Sequence, residues 1–206
     1  MFEKYKTIED IKFLYENLFP LCRSLTGCGV RDSIKILKKF SSFNIIKFPT
    51  GLKTFDWEIP KEWLIKEAYI ENDKGEKIID FKNNNLHVVN YSSPIDRVLQ
   101  FKELEKKLYY LPKLPDAIPY RTTYYNRDWG FCLSFNQFKR LNKNKKYFVK
   151  INSSFKNGNL IVGDFLKKEE LKKEIILSSY LCHPSMINDN ISGMVLWILL
   201  LRKLKL

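Results

Sequence analysis

His183 and Asp189 are the residues of this chain whose types and spacing suit metal chemistry. They lie six positions apart in Cys182-His183-Pro184-Ser185-Met186-Ile187-Asn188-Asp189-Asn190-Ile191-Ser192-Gly193. An imidazole nitrogen and a carboxylate oxygen are both ordinary ligands of zinc and other first-row cations. Pro184 stiffens the backbone just after the imidazole, and Gly193 would let a following helix approach a sheet closely. The same residues also read without a metal. Asp189 or Asn188 is a suitable helix N-cap, and His183 could bond to backbone at a strand end. With two ligands and no third nearby, spacing alone favours the cap.

The flanking segments are the ones that must position this pair. Glu174 to Leu181 has a continuous apolar centre, which predicts an interior strand. Ile191 to Leu206 predicts an apolar helix, with Met194 to Leu201 its strongest run. That run is shorter than the roughly 20 residues of a membrane span, so it reads as a core helix. Strand, loop and helix in that order suggest one unit of an α/β sheet, where ligands gather at the carboxyl ends of strands.

Upstream, Ile8 to Leu18 and Val30 to Phe40 carry apolar residues at helical spacing. From Ile45 the pattern changes to short extended runs. Ile45 to Phe48 predicts a strand, and Ala68 to Glu71 with Lys77 to Phe81 flank Asn72-Asp73-Lys74-Gly75, a hairpin signal. Leu86 to Tyr91, Tyr120 to Tyr125 and Gly130 to Leu133 read as further strands, Phe101 to Leu108 and Phe135 to Leu141 as helices. Tyr147 to Asn152 and Asn159 to Lys167 read as a second hairpin around Lys156-Asn157-Gly158.

Composition bounds the rest. The 206 residues carry a net charge of +13, with 45% apolar residues and 15 Phe, 11 Tyr and 4 Trp, an ordinary globular balance rich in aromatics. The basic charge raises a nucleic-acid partner, but the lysines interleave with Glu, as in residues 167–174, and no binding motif accompanies them. Cys22, Cys28, Cys132 and Cys182 contain no CxxC pair, so they read as buried or incidental thiols of a reducing compartment. The N-terminus has no signal-type apolar stretch. Cytoplasm is the expected location.

Several longer stretches share one resemblance. His183 to Gly193 resembles the Cys-His-Pro-Ser…Asn-Asp-Asn-x-Ser-Gly signature of the aminopeptidase-like family related to the M28 zinc peptidases (DUF4910/DUF2172). Residues 18–27, 55–63, 85–91 and the pair 118–120 and 129–132 resemble the same family, in order. The resemblance implies a partial zinc-aminopeptidase-like α/β domain interrupted by a smaller β-rich insert. The expected organisation is a helical part at 1–54, the insert at 55–145, and the start of the α/β core at 146–206.

In related zinc enzymes two metals are held by two His and three carboxylates, and a Glu acts as general base. Carried over, His183 would ligate one zinc and Asp189 would bridge two. Two departures stand out. Ser185 occupies the position of the carboxylate that usually orients the histidine. No histidine follows His183 and no acidic residue follows Asp189, so these 206 residues hold no catalytic residue and are expected to bind zinc weakly and to lack activity alone. The resemblance implies a peptide or amide-containing substrate and a link to surface-polysaccharide pathways. A non-catalytic scaffold is the alternative reading.

Other residues carry less. His87 reads as structural or surface, Arg23 and Arg31 as surface or helix-packing residues rather than substrate contacts, and Tyr124, Tyr125 and Trp129 as core aromatics rather than a pocket. Without further covering elements, the apolar helix 194–201 is expected to leave an exposed patch open to self-association or to a complementing chain.

Overall fold

The computed structural model describes residues 2–168 and 175–204. Its elements run α1 (Phe2–Leu18), α2 (Cys28–Leu37), β1 (Asn44–Pro49), β2 (Lys53–Thr54), β3 (Trp57–Glu58), β4 (Glu62–Glu71), β5 (Lys77–Asp80), β6 (Ile95–Gln100), α3 (Phe101–Leu104), β7 (Leu108–Tyr109), β8 (Phe131–Cys132), α4 (Phe135–Lys139), β9 (Lys146–Lys156), β10 (Asn159–Asp164) and α5 (Ser192–Leu204). The fold is mixed α/β with small sheets. The chain divides into Met1–Glu62 with Asn157–Leu206, and Trp63–Lys156.

In the first unit, α1, α2 and α5 bury Leu14, Leu18, Val30, Ile34, Leu37, Met194, Val195, Ile198 and Leu201 in one cluster with Phe43 and Ile191. The 3.6-residue spacing of these positions puts each set on one helical face. β1 and β10 pair antiparallel from Asn44↔Asp164 to Pro49↔Asn159. Ile45 and Ile161 pack against the cluster, while Ile46 and Val162, paired with each other, face outward. Glu62, buried at the start of β4, holds Arg31 through two contacts of 2.5 and 3.0 Å and accepts the Asn159 amide at 3.2 Å.

In the second unit, four strands stand in the order β5-β4-β9-β6. β6 and β9 pair antiparallel from Ile95↔Ile151 to Gln100↔Lys146. Tyr147, Val149, Ile151 and Ser153 alternate along β9 and are buried on one face, as the two-residue strand period requires. Ser134 caps α4 in a capping box with Gln137.

Four expectations change. β9 and β10 are not a hairpin, because they belong to different sheets and β10 pairs with β1. Gly158 is there for close approach rather than for a turn: a Cβ on it would lie 2.2 Å from the Glu62 side chain. The division between units therefore falls at 62/63 and 156/157 rather than at 55 and 145. Leu86 to Tyr91 is no strand. Asn84 accepts the Leu86 amide and starts a short 3-10 turn, and Tyr91 has φ of +67°. Tyr120 to Tyr125 forms only a bridge at Thr122, while β6 was not foreseen.

The fourth change bears on the candidate site. Glu174 lies outside the described residues, and Ile175 to Leu181 is neither a strand nor interior: Ile175 and Ile176 are 88% and 86% exposed. A strand needs neighbours to take up its amides and carbonyls, and no described strand pairs with this segment. Helix α5 forms, packed on one face and exposed at Leu196, Leu200 and Leu204 on the other. Among the described residues no helix is long and apolar enough to cross a membrane.

Candidate functional site

The loop from Cys182 to Ile191 is shaped by its ties to the N-terminal helices. Arg23 is fully buried, and its Nε donates to the His183 carbonyl at 2.9 Å. Its Nη1 donates to the Leu18 carbonyl at 2.5 Å and lies 3.5 Å from Ser33 Oγ. Burial pulls its pKa down to about 10. Of the two readings of Arg23, surface or helix-packing, burial removes the first: one guanidinium joins the end of α1, the middle of α2 and the backbone of the candidate ligand. Ser185, at φ of +44°, donates to the Phe19 carbonyl at 2.9 Å.

Further on, the backbone kinks. Asp189 (φ −99°, ψ 104°) and Asn190 (φ 104°, ψ −67°) are non-helical, and α5 starts only at Ser192. Asn190 is buried and donates to the Tyr180 carbonyl at 2.7 Å, while its Oδ1 is buried with no hydrogen-bond partner. A left-handed backbone on a non-glycine residue costs on the order of 1–3 kcal/mol and clusters at functional loops.

The exposed Asp189 does not serve as a helix cap. Its carboxylate takes the Tyr180 hydroxyl in a short contact, and the Tyr180 ring stands edge-on to the His183 ring at 5.3 Å between centroids. Tyr180 thus bridges the two residues singled out by spacing, a role that nothing in its local sequence signals.

Burial, with Arg23 adding to it, lowers the His183 pKa. The imidazole is accordingly neutral near pH 7, the state a metal requires. Cys182 Sγ lies 3.0 Å from His183 Nδ1. Burial raises the Cys182 thiol pKa, the reverse of what activates a thiol as a nucleophile.

Among the described residues no three His, Cys, Asp or Glu side chains converge on a point. His183 and Asp189, two donors without a third, therefore do not make a closed metal site. Elsewhere, His87 is buried, with its Nδ1 2.8 Å from the Cys132 carbonyl, a structural role. Arg31 is held by Glu62 as described. The rings of Tyr124 and Tyr125 lie 3.8 Å apart between centroids, tilted by 36°, but Tyr125 is 76% exposed and so not core. A groove of about 400 Å³ lined by Pro94, Ile95, Asp96, Lys150, Ile151 and Asn152 is open and carries no imidazole or thiol.

Comparison with known proteins shows what the chain is similar to. Residues 62–154 match the family described as a domain of unknown function, DUF2172. The matched segment is less than half of the chain. It coincides within two residues at either end with the unit Trp63–Lys156. The likeness extends well beyond the DUF2172 unit. A Clostridium acetobutylicum protein, provisionally named a polysaccharide biosynthesis protein with aminopeptidase-like domain, is 48% identical over 187 residues, which cover 91% of this chain and 43% of that protein. A crystal structure from the same organism, provisionally named a peptidase, superposes with a TM-score of 0.92 and 45% identity over 98% of this chain. The match covers 47% of that solved chain, so this chain spans about half the length of either relative.

Proposed function

We propose that this chain is the amino-terminal half of a zinc-dependent, aminopeptidase-like hydrolase acting on an amide bond, and that His183 and Asp189 are its share of the metal ligands. The observation that carries the reading is their placement. One loop, tied to α1 and α2 by Arg23 and Ser185, presents a neutral imidazole beside the ring of Tyr180 and an exposed carboxylate at the hydroxyl of the same tyrosine. The kinked Asp189-Asn190 backbone keeps that carboxylate out of the helix. A bound zinc would polarise the scissile carbonyl and lower the pKa of a bound water.

The protein's own part is positional. Arg23 holds the His183 backbone, burial favours its unprotonated ring, and Tyr180 holds the Asp189 carboxylate that would ligate a bound cation. The Cys182 thiol stands beside Nδ1, where related sites place an orienting carboxylate. Two protein ligands do not close a tetrahedral shell, so the 206 residues alone bind zinc weakly and do not hydrolyse peptides. The similarity to a protein named for polysaccharide biosynthesis supports a substrate in a surface-glycan pathway.

Zinc titration followed by calorimetry and thermal melting tests this. The expected result is a weak site, stabilising by mass action, that is lost in both His183→Ala and Asp189→Asn. Zinc binding unchanged in both variants, or no binding at millimolar metal, overturns it.

A further inference from the structure

We infer that the face of the Trp63–Lys156 unit built from residues 111–117, α4 and the turn 142–146 binds an anionic lipid surface. Leu111 and Leu114 enter the headgroup layer, and the cations around them meet lipid phosphates. The inference uses neither His183 nor Asp189, so it stands or falls apart from the zinc reading.

Positive charge is concentrated in this part of the chain. Residues 97–150 hold 13 Lys and Arg against 4 Asp and Glu, so about a quarter of the chain carries +9 of its net +13. Three of the four acids are engaged: Asp128 by Lys107, Asp116 by Asn136, and Glu103 in the capping box of α3. Lys102, Lys113, Lys139, Arg140, Lys143 and Lys146 are exposed, and none of them has an acidic partner among the described residues. Unbalanced charge of one sign repels itself, a cost that no contact within the fold offsets here.

Packing gathers these residues at one end of the unit. The Phe101 and Phe138 rings lie 6.1 Å apart between centroids, which seats α3 on α4. The Phe101 amide donates to the Lys145 carbonyl at 3.3 Å and Gln100 pairs with Lys146, which brings in the turn 142–146. Tyr110 stacks on Phe138 at 4.0 Å. Asn136 donates its amide to the Pro115 carbonyl at 3.0 Å and its side chain to Asp116 at 2.7 Å, so residues 110–116 run along α4. Arg140, four residues after Asn136, lies on the side of α4 that holds this loop.

The loop adds what a merely solvated basic face does not need. Pro112 and Pro115 stiffen it, and the Leu111 and Leu114 carbonyls each close a turn at 3.0 Å. The two leucine side chains are nevertheless 40% and 59% exposed, with Lys113 between them. One exposed leucine is ordinary. Two on a stiff loop bordered by unpartnered cations suit the boundary between headgroups and acyl chains, where apolar insertion and attraction to anionic lipid add together. A nucleic acid gains more from open aromatic faces than from leucines, and here Tyr110, Phe135 and Phe138 are stacked on one another.

Sedimentation of the full chain with phospholipid vesicles tests this. The expected result is binding to phosphatidylcholine vesicles containing roughly one-third phosphatidylglycerol, none to phosphatidylcholine alone, and weakening as salt rises above about 0.1 M. Lys139→Gln combined with Arg140→Gln should lower the partition coefficient about 25-fold, at about fivefold per charge removed. Leu114→Ser should lower it about tenfold, in keeping with partial burial of one leucine, and leave the salt dependence in place. All three positions are exposed, so melting should not change; if Leu114→Ser melts lower, Leu111→Ser takes its place. Absence of binding to the anionic vesicles at about 0.1 M salt overturns the inference, as does vesicle binding that the leucine substitution leaves unchanged. A single-stranded oligonucleotide bound more tightly than the vesicles through Lys139 and Arg140 also overturns it.

Discussion

Replacing Gly29 by Ala sets two physical effects against each other. Gly29 is the second residue of α2, and a glycine in a helix costs about 1 kcal/mol relative to alanine. Propensity alone therefore predicts that Gly29→Ala stabilises the fold. The packing predicts the opposite sign. A Cβ at this position would lie 2.1 Å from the Cys22 carbonyl oxygen, 2.7 Å from its carbon and 3.0 Å from Arg23 Cα. These are backbone atoms, so no side-chain rotation relieves the contact, and the 22–23 segment must retreat by about 1 Å. Overpacking of this kind costs roughly 1–3 kcal/mol or somewhat more, and the retreat strains the Arg23 bonds to Leu18 and His183 as well. The net expectation is a loss of about 1–2 kcal/mol, which lowers Tm by about 2–8 °C for a chain of this size. Urea denaturation with amide exchange at residues 19–26 reads both the magnitude and the location. An alanine variant as stable as the parent, or more stable, would refute the close approach that anchors the candidate loop.

Two further outcomes follow from buried groups. Arg31→Met removes the cation that faces the buried Glu62 carboxylate and should cost about 2–3 kcal/mol in urea denaturation, less than the full penalty of a broken buried pair because Arg31 is itself partly exposed; a change below about 0.5 kcal/mol would mean the pair is ornamental. His87 and His183 are both held below the ordinary imidazole pKa, chiefly by burial, so the fold prefers their neutral forms. Their contribution is therefore complete above about pH 6.5 and is lost as pH falls through the lower folded values, and Tm should drop between about pH 7 and pH 5. A Tm slope over that range that is unchanged in His87→Gln contradicts the assignment of that titration to His87.

What was legible in the sequence was what local chemistry decides. The apolar spacing of α1, α2 and α5, the Asn72-to-Gly75 turn and the alternation of β9 each depend on residues close together in the chain. The errors arose where distant partners decide. Lys156-Asn157-Gly158 reads as a turn because Asn and Gly favour turns, yet Gly158 is needed where backbone passes the buried Glu62 side chain. Leu86 to Tyr91 looks like a strand, but Asn84 and the His87 bond to Cys132 draw it into a turn. Ile95 to Gln100 escaped notice because Asp96, Arg97 and the exposed Val98 break the apolar pattern. In the candidate site His183 and Asp189 could be named from their types, whereas Tyr180 between them and Arg23 behind them could not, since neither has the local spacing of a ligand.

The arginine is the more instructive of those two. A guanidinium buried far enough for its pKa to fall to about 10 is disfavoured as a charge, and a neutral side chain could fill the same volume without that cost. Filling space therefore does not explain Arg23. A planar fork of donors does what no aliphatic chain or single ammonium can: it reaches acceptors on separate segments at fixed angles. Here those acceptors are the last turn of α1, a serine inside α2 and the carbonyl of His183, which lies 160 residues away in sequence from the arginine. The contrast with Arg31 sharpens the point, since Arg31 faces a carboxylate and its pKa is raised by that partner. Arg31 is where a charge is matched; Arg23 is where a charge is accepted for the sake of geometry. The geometry it fixes is that of the His183 backbone, and this gives the two N-terminal helices a part in the site that their own sequences do not suggest.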